Sequence, residues 1–72
     1  MGIKIGGVYR HCKGGLYRVI AIAEHSETLE WHVVYQSLET GRFWVRPVSI
    51  WNSTRKGVQR FVLVDEEKES ES

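Results

Sequence analysis

The sequence predicts an all-β fold, a small five-stranded antiparallel SH3-like barrel. Three observations predict it. Runs of aromatic and β-branched residues alternate with turn signals at spacings of roughly ten residues. Glycine-bearing junctions, "KGG" at 13–15 and "ETGR" at 39–42, separate strand-like runs as hairpin turns do. A chain of 72 residues has room for one domain, and a domain near that size buries only about 60% of its unfolded surface, which suits a thin barrel core. An OB-like barrel is the competitor, but it needs longer strands and an intervening helix.

The elements follow in order. "VYRHC" (8–12) reads as the first strand, and the turn after it uses glycines that reach positive φ cheaply. The second strand covers 16–24, with Tyr17, Val19, Ala21 and Ala23 on one face and Leu16, Arg18, Ile20 and Ile22 on the other. Apolar residues on both faces predict a long, bent strand serving two layers. "HSET" (25–28) makes the next connection, because its hydroxyls and carboxylate can accept backbone N–H bonds. The third strand covers 30–38, with Trp31, Val33 and Tyr35 on one face. The fourth, "FWVRP" (43–47), stops at Pro47, the sole proline, which cannot donate to a ladder. A short helical turn over 49–52, a basic loop and a closing strand over 59–64 complete the expected domain, residues 1–64.

Residues 65–72, "DEEKESES", hold five acids and one lysine, a net of −4, and read as a disordered acidic tail. Residues 1–64 hold nine Lys or Arg and four Glu, a net of +5, which favours anionic partners. One cysteine, Cys12, excludes an intrachain disulfide, so stability rests on packing, with a homodimer partner or a bound ligand as the available reinforcement. The longest uninterrupted apolar run, 19–23, is far too short for a membrane span, and 1–7 lacks the apolar centre of a signal peptide; the expectation is a cytoplasmic protein without membrane association.

Two constellations carry candidate chemistry. "AEHSETLEWHVVY" (23–35) gathers His25, Ser26, Glu27, Thr28 and Glu30 at a strand end. These side chains either satisfy a turn or share one barrel mouth with Lys13 and Arg46, above Tyr35 or Trp44. The aromatic set of Tyr9, Tyr17, Trp31, Tyr35, Phe43, Trp44, Trp51 and Phe61 mostly fills the core; members left beside Arg10, Lys13, Arg18, Arg42 or Arg46 would form an aromatic and basic platform. "STRKGVQR" (53–60) adds Arg55, Lys56 and Arg60, either to that platform or, as the favoured reading, as a solvated loop. Metal binding is not expected, since His11, Cys12, His25 and His32 have no finger or ribbon spacing, and no cofactor is implied. Ser26 is no hydrolase nucleophile, because its neighbour His25 points to the other side of an extended chain.

Three motifs taken in order, "GGVYRHCKGGLYRV", "AEHSETLEWHVVY" and "WVRP", resemble the domain-of-unknown-function family 1653, a small bacterial and phage domain, over roughly 7–61. The resemblance implies importance for Tyr9, His11, Lys13, Gly14 and Tyr17, for His25, Ser26, Glu27, Thr28, Glu30 and Tyr35, and for Trp44, Arg46 and Pro47. Three positions depart from the family pattern: Cys12 replaces an aromatic residue, Trp51 replaces phenylalanine, and no proline precedes "RF" at Arg60. The resemblance supplies positions without chemistry.

Together these readings point to a non-catalytic ligand-binding module for a nucleotide-type or nucleic-acid anion, sequestering a nucleotide signal. Its expected ligand set is His11, Lys13, Tyr17, His25, Ser26, Glu27, Thr28, Glu30, Tyr35, Trp44 and Arg46. Lys13 and Arg46 would hold phosphate, Trp44 and Tyr35 would stack a base, and His25 and Glu27 would read its edge. Two alternatives stand beside it: a peptide-binding interaction module using the aromatic face, and a small hydrolase using His25 and Glu27 as an acid–base pair.

Overall fold

The computed structural model describes residues 2–65. Of the expected acidic tail, Asp65 ends the last strand, and the rest lies outside the described residues. The chain runs β1 (Val8–His11), β2 (Leu16–Glu24), β3 (Trp31–Ser37), β4 (Phe43–Pro47), α1 (Val48–Trp51), β5 (Thr54–Arg55), β6 (Val58–Gln59) and β7 (Phe61–Asp65). Five strands form one antiparallel sheet in the order β4-β3-β2-β1-β7, and β5-β6 is a separate two-stranded ribbon.

The main sheet is mostly as the alternation predicts. β2 and β4 keep the expected limits, and the turn between β1 and β2 uses Gly14 and Gly15, both at positive φ (101° and 91°), which an L side chain resists. Between β3 and β4, Ser37 is buried and its Oγ accepts from the Glu39 and Thr40 N–H groups, so the turn's first donors are satisfied from inside the sheet.

Closure is where expectation and structure part. The sheet is not closed into a barrel: β4 and β7 are its two edges. Pro47 explains half of this. It still pairs with His32 at the end of β4, but its missing N–H and fixed φ of −56° turn the chain directly into α1. α1 then carries Trp51 into the space between the edges. The Trp51 indole stacks on Phe61 of β7 (centroids 3.7 Å apart, planes within 2°), and it meets Tyr35 and Tyr9 edge-on at 5.0 and 5.2 Å. Side chains fill the gap that ladder hydrogen bonds would have closed. Tyr9, Val19, Val33, Tyr35, Trp51 and Phe61 make the core, with Ile3, Tyr17, Ile22 and Val48 packed against it.

Two further expectations are corrected. The β2–β3 register shifts between Val19 and Ala21, a bulge that leaves Ile20 without a pair and reverses the alternation beyond it. Ile22 rather than Ala21 therefore joins Tyr17 and Val19 against the core. The basic loop expected after α1 is the β5–β6 hairpin, with Lys56 (φ 54°) and Gly57 (φ 80°) as its two connecting residues. Both positive φ values match a type I′ turn.

Leu29, in the β2–β3 connection, is among the described residues the other non-glycine at positive φ (62°), and it is 63% exposed. A left-handed conformation costs a branched L residue about 1–2 kcal/mol, while asparagine tolerates it. Leu29→Asn is therefore expected to raise stability by about 0.5–1 kcal/mol, read as a higher urea midpoint with an unchanged m value.

Candidate functional site

Antiparallel pairing puts opposed residues on the same face of a sheet. Trp44 opposes Tyr35, Arg46 opposes Val33, Tyr17 opposes Ser37, and His11 opposes Phe61. That face is the core face, and at its open margin Tyr17, Tyr35, Trp44 and Arg46 line a cleft of about 180 Å³. Tyr35 is buried and supplies the floor, whereas Trp44 is 46% exposed and forms a wall. The Arg46 guanidinium lies over the Phe61 ring at 5.4 Å, and the Arg42 guanidinium lies over Trp44 at 5.5 Å.

His11 borders the cleft. Its ring meets Phe61 edge-on at 4.8 Å and stands 6.5 Å from Tyr17. Its Nδ1 accepts from the Lys13 backbone N–H at 3.0 Å, which in the neutral ring leaves the proton on Nε2. Burial first, then the Arg46, Arg60, Lys13 and Arg55 cations, hold this imidazole below its ordinary value of 6.5. The neutral ring therefore stabilises the fold fully above that ordinary value. The contribution is lost as pH falls through about 6.5 toward the lower folded value, because the unfolded chain takes up the proton first. His11→Gln is expected to lose less stability than wild type between about pH 7.5 and about pH 5, measured by urea unfolding at each pH.

A second cavity, of about 280 Å³, adjoins the first turn and is lined by Cys12, Lys13, Arg55, Lys56 and Val58. Among the described residues no carboxylate pairs with Lys13, Arg46, Arg55 or Lys56. Uncompensated cations so arranged raise the local potential and favour an anion.

The structure thus brings together His11, Lys13, Tyr17, Tyr35, Trp44 and Arg46 from the expected set. It does not bring His25, Ser26, Glu27, Thr28 and Glu30 to them. Eight residues of β2 and its end separate His25 from Tyr17, roughly 26 Å of extended chain. The His25 ring instead sits 5.5 Å from that of His32, which alternates with Val33 and so faces away from Tyr35. Arg46 extends in the other direction, over Phe61. All five loop residues are exposed, and the loop satisfies itself: His25 Nδ1 accepts from the Glu27 and Thr28 N–H groups, and Thr28 Oγ1 accepts from the Glu30 N–H. The loop thus lies at the Arg46 end of β4, with the His25 ring on the face opposite the cleft.

Phe61, Arg55, Lys56 and Arg60 border the site region but stand outside the expected ligand set, and the sequence favours a solvated loop for the three cations. "TRKGVQ" (54–59) held a signal for the hairpin, a glycine between two short strand-like flanks, in the same form as "KGG". Among the described residues, no group of three or more His, Cys, Asp or Glu side chains could hold a metal ion, and no helix is long and apolar enough to cross a membrane.

Comparisons with known proteins agree with this architecture. The family model for DUF1653, described as "Protein of unknown function", matches residues 7–63. The chain is similar to a DUF1653 protein from Bordetella bronchiseptica of known crystal structure, with 35% sequence identity and a TM-score of 0.74 over 90% of this chain and 92% of that one. No curated protein matches the chain.

Proposed function

The chain belongs to the DUF1653 family, and for this member of it we propose a non-catalytic binding module for a nucleotide-type anion, with single-stranded nucleic acid as the ligand the geometry supports best. The observation that carries the reading is the shared cleft of Tyr17, Tyr35, Trp44 and Arg46, an aromatic wall and floor beside a guanidinium. Aromatic faces stack bases whatever their sequence, and arginine holds phosphate through a planar pair of donors. Size narrows the choice. At about 180 Å³ the cleft is smaller than the roughly 300–1,000 Å³ of a pocket that engulfs a drug-sized molecule. It fits one planar group of a ligand whose remainder lies along the surface. We read the scaffold as an SH3-like arrangement opened between β4 and β7.

Titration of a short single-stranded oligonucleotide, followed by tryptophan fluorescence, tests this. Trp44→Ala is expected to weaken binding by about 1–3 kcal/mol, the worth of one stacked base. Affinity is expected to fall steeply with salt, with a slope near −0.7 per phosphate contacted. Absence of binding at low salt, or binding indifferent to Trp44, would sink the proposal.

One observation favours a second reading. β4 is an edge strand with Phe43 and Val45 62% and 64% exposed, so an extended peptide could pair with it and set side chains on that apolar row. Binding of a proline-rich or apolar peptide that barely responds to salt would select this reading.

A further inference from the structure

The β5–β6 hairpin presents Arg55 and Lys56 toward Cys12 and Lys13 across the second cavity. Three features set this apart from a solvated basic loop. First, its feet are fixed: Arg60 Nε donates to Ser53 Oγ at 3.0 Å, the Arg60 N–H donates to the Ser53 carbonyl at 3.0 Å, and the Cys12 N–H donates to the Arg60 carbonyl at 2.8 Å. The cations therefore stand on a braced element, where an ordinary loop would let them separate. Second, Lys56 holds the left-handed position of the turn at φ 54°, where asparagine would form the same turn with less strain. The type I′ geometry fixes the backbone that carries this charge. Third, His11 lines neither the cavity nor the aromatic cleft but touches residues of both. Its ring faces Phe61 and Tyr17 on the cleft side, while its Nδ1 takes the Lys13 N–H and stands 3.9 Å from Cys12 Sγ on the hairpin side.

We propose that the cavity between the β5–β6 hairpin and the turn at residues 12–15 is a phosphate subsite, held by Lys13, Arg55 and Lys56, for the ligand whose base enters the Tyr17–Trp44 cleft. The proposal rests on the cleft reading for its choice of ligand but makes its own prediction for phosphate alone. Arg55 supplies a planar fork of donors, and Lys13 and Lys56 supply point charges. The ligand's chain passes His11, which faces Arg46 from β4, Lys13 from the first turn, Arg55 from β5 and Arg60 from the segment between β6 and β7. An anion arriving there offsets those four cations, so the imidazole accepts a proton more readily in the complex.

Inorganic pyrophosphate, which has no base, is the probe. Titrated into the full chain and followed by backbone amide and His11 ring resonances, it is expected to saturate with shifts confined to residues 11–13 and 54–60. The His11 titration midpoint is expected to rise in the saturated complex. Lys56→Asn is expected to weaken pyrophosphate at least about fivefold while raising the thermal midpoint, so that lost binding cannot be lost folding. Arg55→Gln is expected to weaken it similarly, and Trp44→Ala to leave it unchanged. Shifts that map elsewhere, or affinity indifferent to both Arg55→Gln and Lys56→Asn, overturn the subsite. If an oligonucleotide depends on Trp44 and Arg46 but not on Arg55 and Lys56, the subsite fails and the cleft reading stands. If pyrophosphate binds as described and no oligonucleotide does, the subsite stands and the cleft reading fails.

Discussion

Trp51→Ala is expected to remove a large share of the fold's stability. The indole is 2% exposed, stacked on Phe61 of β7 and edge-on to Tyr35 of β3 and Tyr9 of β1, and it holds α1 against those three strands. Removing a buried aromatic of that size costs about 3–5 kcal/mol, the lost transfer energy plus the cavity left behind. Small domains have about 0.05–0.15 kcal/mol of stability per residue, about 4–11 kcal/mol for 72 residues, so the loss takes a large share of the total. No disulfide compensates, because Cys12 is free. Trp51→Phe keeps an aromatic ring on Phe61 and is expected to cost less than half as much. Far-UV circular dichroism in a urea series separates the two; an alanine variant as stable as wild type would show that the edges hold without their plug.

Arg46→Ala is expected to weaken oligonucleotide binding about 10- to 100-fold. A charge-assisted hydrogen bond contributes about 1.5–3 kcal/mol, and each 1.4 kcal/mol is a factor of ten. The salt slope is expected to become shallower by about 0.7 if one phosphate contact is lost. Folding is expected to change little, since Arg46 is half-buried and its contact with Phe61 is of a kind worth about 0.5–1 kcal/mol. A second readout needs no ligand. Arg46 is the first of the cations that hold the His11 imidazole down, so its removal is expected to raise the His11 titration midpoint toward 6.5. Arg46→Lys keeps a point charge without the planar fork and is expected to bind between the two.

The sequence reads best where the signal is local. β2 and β4 begin and end as expected because glycine at Gly15 and proline at Pro47 delimit them directly. The loop at 25–30 is legible as a turn for the same reason: its acceptors lie within three residues of the donors they satisfy. Its orientation is not legible, since which face of the sheet its side chains take depends on strand pairing and on the bulge in β2. The bulge at Ile20 inserts one residue and moves every later side chain to the other face, a change that composition does not announce. β5 and β6 are two residues each, too short to display a period of two. Barrel closure depends on two distant edges meeting, and Trp51 read only as a core aromatic gives no hint that it stands between them. The half of the site carried by Tyr17, Tyr35, Trp44 and Arg46 was legible as an aromatic and basic set; Phe61 and the hairpin cations join it only through tertiary packing.

The junction between β4 and β7 has a dynamic consequence. Backbone ladders must break bonds in order to part, whereas stacked rings can slide while staying in contact. The margin spanned by Trp51 and Phe61 is therefore joined by side chains, and the cleft lies along it. Amides on the outward side of β4 have no neighbouring strand to shield them, so deuterium enters there before it enters β2, which is flanked on both sides. A guest seated on Trp44 and Arg46 would slow that uptake.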